Sequence, residues 1–390
     1  MDDSPMNSLP QDTLHQIFSS LPLRQIAVCR SVCRFLDQML TSSSFTSLIS
    51  DRPPLRLLAL RPPHLHRHHP ATAPTSFLNV YDPDQTQWLR FDLSFLPFRS
   101  LHPVASASGL VYLWGDSASS AESNNKALVV CNPLTRRFKV LPQLGSAWSR
   151  HGAVVVDSSN RVMVLTELVA LYLSSTIASS WLTFSSNLPS KPRSPILVSD
   201  SVFALCDVGS PWRSQWKLFT CKISNLSGPN NTGNYSNGST SMSTNHNKWV
   251  CLEKHEWADI FDIMKRPRLV RGSGQKLLMV GGLKSTFSLN PSCSTILILR
   301  LDLERLEWEE AGRMPMEMYR CFQESSKLKV FGGGDRVCFS AKRVGKLALW
   351  DDCDADSGRV VWRWIDGVPG GGGDGLSRGF LFEPKLIDLV

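Results

Sequence analysis

The sequence predicts a multidomain protein in which a small all-α domain precedes an all-β propeller of six blades. Three observations support this fold class. All twelve tryptophans lie at or after Trp88, whereas the first fifty residues contain none. Residues 8–50 show helical periodicity, and from residue 51 onward the chain consists of short Val-, Ile- and Leu-rich runs separated by Gly, Pro, Asn and Asp.

Composition sets the limits of this interpretation. The 390 residues are 42% hydrophobic and carry a formal net charge of +8, which suits a globular chain and is too dilute to indicate nucleic-acid binding. The start of the chain is acidic and no apolar run reaches the ~18 residues of a membrane span, so we expect an intracellular protein of the nucleus, the cytoplasm or both, without membrane contact. Ten scattered cysteines form no CxxC pair, so we expect reduced and mostly buried thiols rather than disulfides or a zinc site.

The first helix is predicted from caps and spacing. Ser8 is placed to cap it and Pro10 falls in its first turn, where the missing N–H costs nothing. One apolar stripe follows at i, i+3, i+4 and i+7, formed by Leu14, Ile17, Phe18 and Leu21. Pro22 ends the helix, and the periodicity of residues 23–40 predicts two more short helices.

This three-helix domain has more apolar surface than it can bury. About 40 residues is the lower limit for an independent core, so the surplus must meet either the rest of the chain or a partner. Cys29 and Cys33 are spaced i, i+4 and are interpreted as packing residues on one helix face.

The N-terminal segment resembles an F-box. The resemblance rests on the Leu9-Pro10 opening, the helix ending at Leu21-Pro22, the run Arg30 to Leu36, and Phe45 at the close. Phe35 stands where the family most often has Trp. The resemblance implies binding to the Skp-type adaptor of an SCF ubiquitin ligase and, through it, to a cullin. The implied adaptor-binding residues are Leu9, Pro10, Leu14, Ile17, Phe18, Leu21, Pro22, Val32, Cys33 and Phe35.

A linker separates the F-box of residues 1–50, with a core at about 8–48, from the repeat region. It spans residues 51–75 and is rich in Pro, His and Arg. A metal site formed by its four histidines at 64, 66, 68 and 69 stays open as an alternative. Because no Cys or carboxylate flanks them, we prefer to interpret this segment as a solvated loop.

Residues 76–390 contain a repeated unit of a strand, a polar turn and an aromatic residue. It is clearest at 81–88, 131–138 and 301–308. The aromatic markers of six units are Trp88, Phe138, Trp181, Trp249, Trp308 and Trp364. Residues 224–247, of which 19 are Ser, Asn, Gly or Thr, are predicted to be a flexible insert. Without it the units average roughly fifty residues, which is the size of a kelch blade.

Two glycine runs, Gly281-Gly282 and Gly332 to Gly334, end Val-rich strands and resemble the kelch diglycine. The chain as a whole is similar to plant F-box/kelch proteins of the Unusual Floral Organs type. Residues 379–384 echo residues 77–83, which predicts that a last strand joins the first blade and closes the ring.

The main functional prediction is a non-catalytic substrate receptor that binds a client protein through the propeller. The client and the loops that bind it stay open. No GxSxG, Walker, HExxH or Rossmann motif is present, so no cofactor or active site is predicted. The second function class is a scaffold or transcriptional cofactor that binds a regulator through the propeller.

A copper radical oxidase built on a kelch propeller is the enzyme alternative. It requires tyrosine and histidine ligands around one metal. The candidates are Tyr81, Tyr112, Tyr172, Tyr235, Tyr319, His102, His151, His246 and His255, and they form no recognisable ligand motif.

Overall fold

A computed structural model describes most of the chain. The described residues are 9–30, 32–50, 52, 55–61, 77–117, 126–144, 146–175, 178–224, 249–284, 293–323, 325, 327–352, 361–370 and 376–386. Residues 225–248, which contain nearly all of the predicted flexible insert, and the histidines of the predicted linker lie outside this set.

Four helices form the N-terminal domain. They are α1 (Gln11–Ser19), α2 (Leu23–Arg30), α3 (Arg34–Leu40) and α4 (Ser43–Ser50). The structure therefore has one helix more than predicted, because the chain turns again between α3 and α4. Pro10 is the N-cap of α1 rather than a first-turn residue and makes no side-chain cap hydrogen bond, and Ser8, the predicted cap, lies outside the described residues. The helix ends at Ser19, before Pro22 is reached.

The expected pairing of Cys29 and Cys33 on one helix face is wrong. Cys29 lies on α2, whereas Cys33 is the N-cap of α3 with an extended backbone. Cys29 packs against the helical core, and Cys33 is exposed. The two thiols are separated because the chain leaves helical geometry between the two elements.

The rest of the described chain forms six antiparallel sheets of four strands, and these are the blades of a propeller. Blade 1 contains β1 (Leu57–Arg61), β2 (Phe77–Asp82), β3 (Gln87–Asp92) and β24 (Arg378–Phe382). Blade 2 contains β4 (Phe98–Ala107), β5 (Leu110–Ser117), β6 (Lys126–Asn132) and β7 (Arg137–Val140). Blade 3 contains β8 (Ala153–Val156), β9 (Val162–Leu165), β10 (Val169–Leu173) and β11 (Leu182–Ser185). Blade 4 contains β12 (Arg193–Val198), β13 (Ser201–Asp207), β14 (Trp216–Lys222) and β15 (Val250–Leu252). Blade 5 contains β16 (Met264–Arg271), β17 (Lys276–Lys284), β18 (Cys293–Asp302) and β19 (Glu307–Arg313). Blade 6 contains β20 (Leu328–Gly333), β21 (Arg336–Ala341), β22 (Leu347–Asp351) and β23 (Val361–Ile365).

The last strand closes the ring. The first strand of each blade lies innermost, and the inner strands contact one another in the cyclic order β24, β4, β8, β12, β16, β20. In blade 1 that position is taken by β24, which pairs antiparallel with β1 from Leu57–Phe382 to Arg61–Arg378. The predicted fold class, the count of six blades and the closing role of the C-terminus are confirmed.

The aromatic markers lie on or directly before the fourth strand of each blade. The turn that precedes them explains the repeated sequence. Asp82 accepts hydrogen bonds from the backbone N–H groups two and three residues later, and Asn132 and Asp302 do the same. Each of these turns ends in a residue of positive φ, such as Thr86 at 51°. A short oxygen-bearing side chain is required here because it holds the tight turn together.

The two glycine runs occupy different strands, so they are not equivalent blade positions. Gly281 and Gly282 lie within β17, the second strand of blade 5, whereas Gly332 lies on β20, the innermost strand of blade 6. Gly332 has a φ of 138°, and a Cβ there would lie 2.3 Å from the carbonyl oxygen of Arg336. Only glycine fits that backbone approach.

The predicted linker begins the propeller. Residues 57–61 form β1 and contribute Leu57, Leu58, Ala59 and Leu60 to the buried core. The assignment of residues 51–75 to a linker is therefore wrong for this part.

The propeller has two different faces. Strands are counted outward from the centre of the propeller, so β24 is the first strand of blade 1. The proximal face is the one that carries the turns between the first and second strands and between the third and fourth strands of each blade. The distal face carries the other connections, including α5 (Ser146–His151), a 3₁₀ helix (His255–Trp257), α6 (Ala258–Ile263) and α7 (Met316–Gln323). Among the described helices, none has the length and apolar character needed to cross a membrane.

Candidate adaptor-binding surface

The helical domain folds around a compact apolar core. Leu14 and Phe18 of α1 are buried with side chains from the other three helices, including Ile26, Leu40 and Phe45. His15 is also buried, and its ring centroid lies 5.4 Å from that of Phe45. The buried face of the nine-residue helix α1 therefore supplies part of the core of a very small domain.

Polar contacts fix the order of the helices. The Nε of Arg30 on α2 donates to an oxygen of Asp37 on α3 at 2.9 Å. Arg52, which follows α4, donates from Nη1 to the carbonyl oxygen of Leu21 at 2.8 Å. The first contact joins the consecutive helices α2 and α3, and the second connects the segment after α4 to the segment after α1.

The C-terminus of the chain completes this core. Leu386 is 6% exposed and packs within the helical cluster, and Leu134 of the proximal turn in blade 2 packs against it. The preceding residue, Lys385, accepts a hydrogen bond on its carbonyl oxygen from Asn132 Nδ2 at 2.9 Å. A Cβ at Gly109 would lie 2.7 Å from the Cβ of Lys385. The helical domain is thereby attached to the proximal face.

The ten candidate residues fall into two groups in the structure. Leu14 and Phe18 belong to the core, and Leu21 is half-buried at its edge. The remaining seven side chains are exposed, and they are Leu9, Pro10, Ile17, Pro22, Val32, Cys33 and Phe35. Exposure reaches 49% for Ile17, 69% for Val32 and 42% for Phe35. Several of the apolar side chains that the domain leaves exposed therefore belong to the candidate motif.

Sequence reasoning missed two further exposed apolar residues of the domain. Val28 on α2 is 60% exposed and Leu48 on α4 is 46% exposed. Periodicity alone did not separate them from core positions, because helices of eight residues contain too few turns to define a face clearly.

The residues of the copper alternative lie on separate elements. Within the described chain they are Tyr81 on β2, His102 on β4, Tyr112 on β5, His151 on α5, Tyr172 on β10, His255 on the 3₁₀ helix and Tyr319 on α7. Tyr235 and His246 lie outside the described residues. No group of three His, Cys, Asp or Glu that is close enough to hold a metal occurs among the described residues.

Nine of the ten cysteines lie in the described chain as free thiols, and Cys353 lies outside it. Four are buried, three are half-buried and two are exposed. Burial raises the pKa of Cys131 to about 12, so that thiol stays protonated and unreactive.

Comparison with known proteins gives three family matches. Residues 6–51 match the F-box-like family, residues 66–223 match a domain of unknown function (DUF7595), and residues 267–315 match the Kelch motif. The first coincides with the helical domain and the third with blade 5.

Whole-chain relatives were also found. The chain is 68% identical over 394 residues to SKP1-interacting partner 15 of Arabidopsis thaliana, covering 99% of each chain. It is 24% identical to the protein UNUSUAL FLORAL ORGANS of Arabidopsis thaliana, covering 100% of this chain and 87% of the relative. Among solved structures, TolB from Acinetobacter baumannii aligns with a TM-score of 0.43 and 12% identity over 88% of this chain and 71% of that one.

Proposed function

This chain belongs to the plant F-box/kelch family, and from that membership we propose that it is the substrate-recognition subunit of an SCF-type ubiquitin ligase. The helical domain binds a Skp-type adaptor, the adaptor connects the chain to a cullin, and the propeller binds a client protein. The chain itself is a non-catalytic receptor that acts in the nucleus, the cytoplasm or both.

One observation carries this proposal. After the helical domain has filled its core and attached to the propeller, the motif residues Ile17, Val32 and Phe35 still expose apolar side chains. Apolar side chains clustered in one short motif are typical of a protein-binding surface. The name of the 68% identical relative, SKP1-interacting partner 15, supports the adaptor as the bound protein.

The distal face is the part of the propeller that supports client binding. It lies opposite the helical domain, so a client there is not blocked by the adaptor. Trp212, in the connection between β13 and β14 on this face, is 96% exposed. Exposed tryptophans are frequent anchors of protein interfaces.

The adaptor can be tested with a pair of substitutions in the full-length chain. Ile17→Ala with Phe35→Ala should weaken binding of a purified Skp-type adaptor by tens to hundreds of fold, because removing buried anchors costs about 2–4 kcal/mol. Leu182→Ala is the matched control, since this leucine on β11 is 42% exposed and distant from the motif. The melting temperature should stay the same in both. Undiminished binding by the double variant would refute the proposal.

The outcome for the client needs a measurement in cells. The full-length double variant keeps an intact propeller, so in excess it should occupy the client, lower its ubiquitination and lengthen its half-life after translation arrest. If neither the wild-type chain nor the double variant changes the half-life of the client, the result would favour the scaffold or cofactor role. A client half-life shortened equally by the variant would contradict the bridging model.

A further inference from the structure

The inner strands of the propeller enclose a central channel. Its volume is about 660 Å³, and all six inner strands line it. Basic side chains dominate the charged part of this lining. The described lining residues include one carboxylate, that of Glu383, and seven cationic residues: Arg56, Arg61, Arg268, Arg271, Lys329, Arg378 and Lys385.

The two ends of the channel differ in charge balance. At the proximal end, Arg56 has carboxylate neighbours, with Asp335 at 3.7 Å and Glu383 at 4.0 Å. Arg56 is therefore paired with carboxylates, which is the ordinary arrangement of a partly buried charge in a folded protein.

The distal end carries cations alone. Arg378 is the first residue of β24, and Arg61 is its Cα partner at the end of β1. Lys329 lies near the start of β20, and Arg268 lies on β16. Among the described residues, no carboxylate oxygen lies within 4.0 Å of the basic groups of these four side chains, which we call the distal cation cluster.

These charges are close enough to repel one another. Burial lowers the pKa of Lys329 to about 8, and the charges of Arg378 and Arg268 add to the effect. Burial likewise lowers the pKa of Arg268 to about 10, with contributions from Arg193 and Arg378. The protein thus holds like charges together at a cost to its own stability. Such an arrangement is expected where a ligand supplies the missing counter-charge.

Arg61 has a donor left over. One of its Nη atoms donates to the carbonyl oxygen of Val104, and the guanidinium lies 5.8 Å from the ring centroid of Phe380. Its Nε is buried and has no hydrogen-bond partner. A buried N–H without an acceptor is unfavourable, and an oxyanion entering the channel would supply one.

We propose that the distal cation cluster binds a multiply charged oxyanion of the phosphate class. Guanidinium groups bind phosphate oxygens through paired hydrogen bonds. A phosphate dianion neutralises two of the clustered cations, whereas a carboxylate neutralises only one. The oxyanion has two possible sources, a phosphorylated side chain of the client or a free polyphosphate such as an inositol phosphate. The first source rests on the proposed receptor function, and the second does not.

The test uses the purified full-length chain and two probes, inositol hexakisphosphate and a doubly phosphorylated serine peptide. Binding is measured by titration calorimetry and by the shift in melting temperature, at low and at physiological salt. We expect binding that weakens as salt rises. Arg268→Gln with Lys329→Gln should weaken it about a hundredfold, at roughly tenfold per charge removed. Arg268→Gln alone should weaken binding about tenfold, and Arg271→Gln is its matched control, because it removes one positive charge from the proximal end of the same strand and should change affinity by less than about twofold.

A purely structural role for these cations gives a different result. If they serve only to hold the fold, the double variant without ligand should melt well below the wild type. If they form a binding site, its melting temperature should be the same or higher, because two mutually repelling buried charges are gone.

Each outcome decides the matter. Binding of either probe, lost in the double variant and kept in Arg271→Gln, supports the site, and the preferred probe identifies the source. Failure of both probes to bind at low salt, or equal affinity of the double variant, overturns it. Adaptor binding measured on the same preparation reports on the receptor function separately, so failure of one leaves the other standing.

Discussion

Replacing Phe382 with alanine should destabilise the propeller more than any comparable change at its surface. Phe382 is the last residue of the closing strand β24 and is 0% exposed. Its ring meets that of Phe91 edge-on at a centroid distance of 5.6 Å, and both belong to the core between blades 1 and 2. Removing the ring therefore opens a cavity at the position where the two ends of the propeller meet.

The expected size of the effect follows from that burial. Phenylalanine-to-alanine changes in a packed core cost about 3–5 kcal/mol, counting lost transfer energy and the cavity that remains. Typical domains have a total free energy of unfolding of about 5–15 kcal/mol, so the change removes a large share of it. The entropy of unfolding scales with length at about 2.1 cal/mol/K per residue, so for a chain of 390 residues the melting temperature should fall by roughly 4–6 °C.

Differential scanning calorimetry and urea denaturation of the full chain would measure this change. Phe77→Ala is the matched control on strand β2 of the same blade, which β1 separates from β24. Phe77 is 40% exposed, and its ring contacts the Arg90 guanidinium at 4.1 Å, so its loss should cost about 1 kcal/mol or less. Equal shifts for the two variants would show that β24 does not pack as the closing strand.

Two further changes probe charged groups of blade 6. Arg336→Met should lower the urea midpoint by the equivalent of about 1.5–3 kcal/mol, because Arg336 is 7% exposed and donates to Asp351 at 3.2 Å and to Asp84 of blade 1. The cost is no larger because Asp351 keeps Arg363 as a partner at 3.1 Å and Asp84 is half-exposed; an unchanged midpoint would contradict this. Lys329→Met should abolish a rise in the free energy of unfolding between pH 8 and pH 10.5. The folded state holds the pKa of Lys329 at about 8, against 10.5 ordinarily, so in that window the unfolded chain binds more protons and stability increases with pH. Urea unfolding at pH 7 and pH 10 measures the difference between variant and wild type, and a difference independent of pH would refute the assignment.

Much of the propeller was predictable because its signals are local. The markers Trp88 and Trp308 repeat because each blade ends in a strand whose aromatic residue follows a tight turn, and that turn requires a residue such as Asp82 or Asp302. The echo between residues 77–83 and 379–384 correctly predicted the closing strand because both segments must pack within the same blade.

Other features depend on contacts that no local pattern contains. Strand β1 is not identifiable from the sequence because four apolar residues beside a Pro-rich segment give too short a run, and one of its two pairing partners, β24, lies more than 300 residues away. Periodicity placed Leu14 and Ile17 on one stripe, but it could not decide which of them faces the core. That depends partly on Leu386, which reaches the helical domain only after the whole propeller has been traversed.

The position of Leu386 and β24 has a consequence for biosynthesis. The adaptor-binding helices are made before the propeller, yet their core is completed by Leu386, which is synthesised only after all six blades. Contacts that join chain ends so far apart form late in folding. A nascent or prematurely terminated chain thus lacks both the closing strand and the final core residue, and it cannot present a fully folded receptor. A complete core in the adaptor-binding domain therefore requires translation through Leu386.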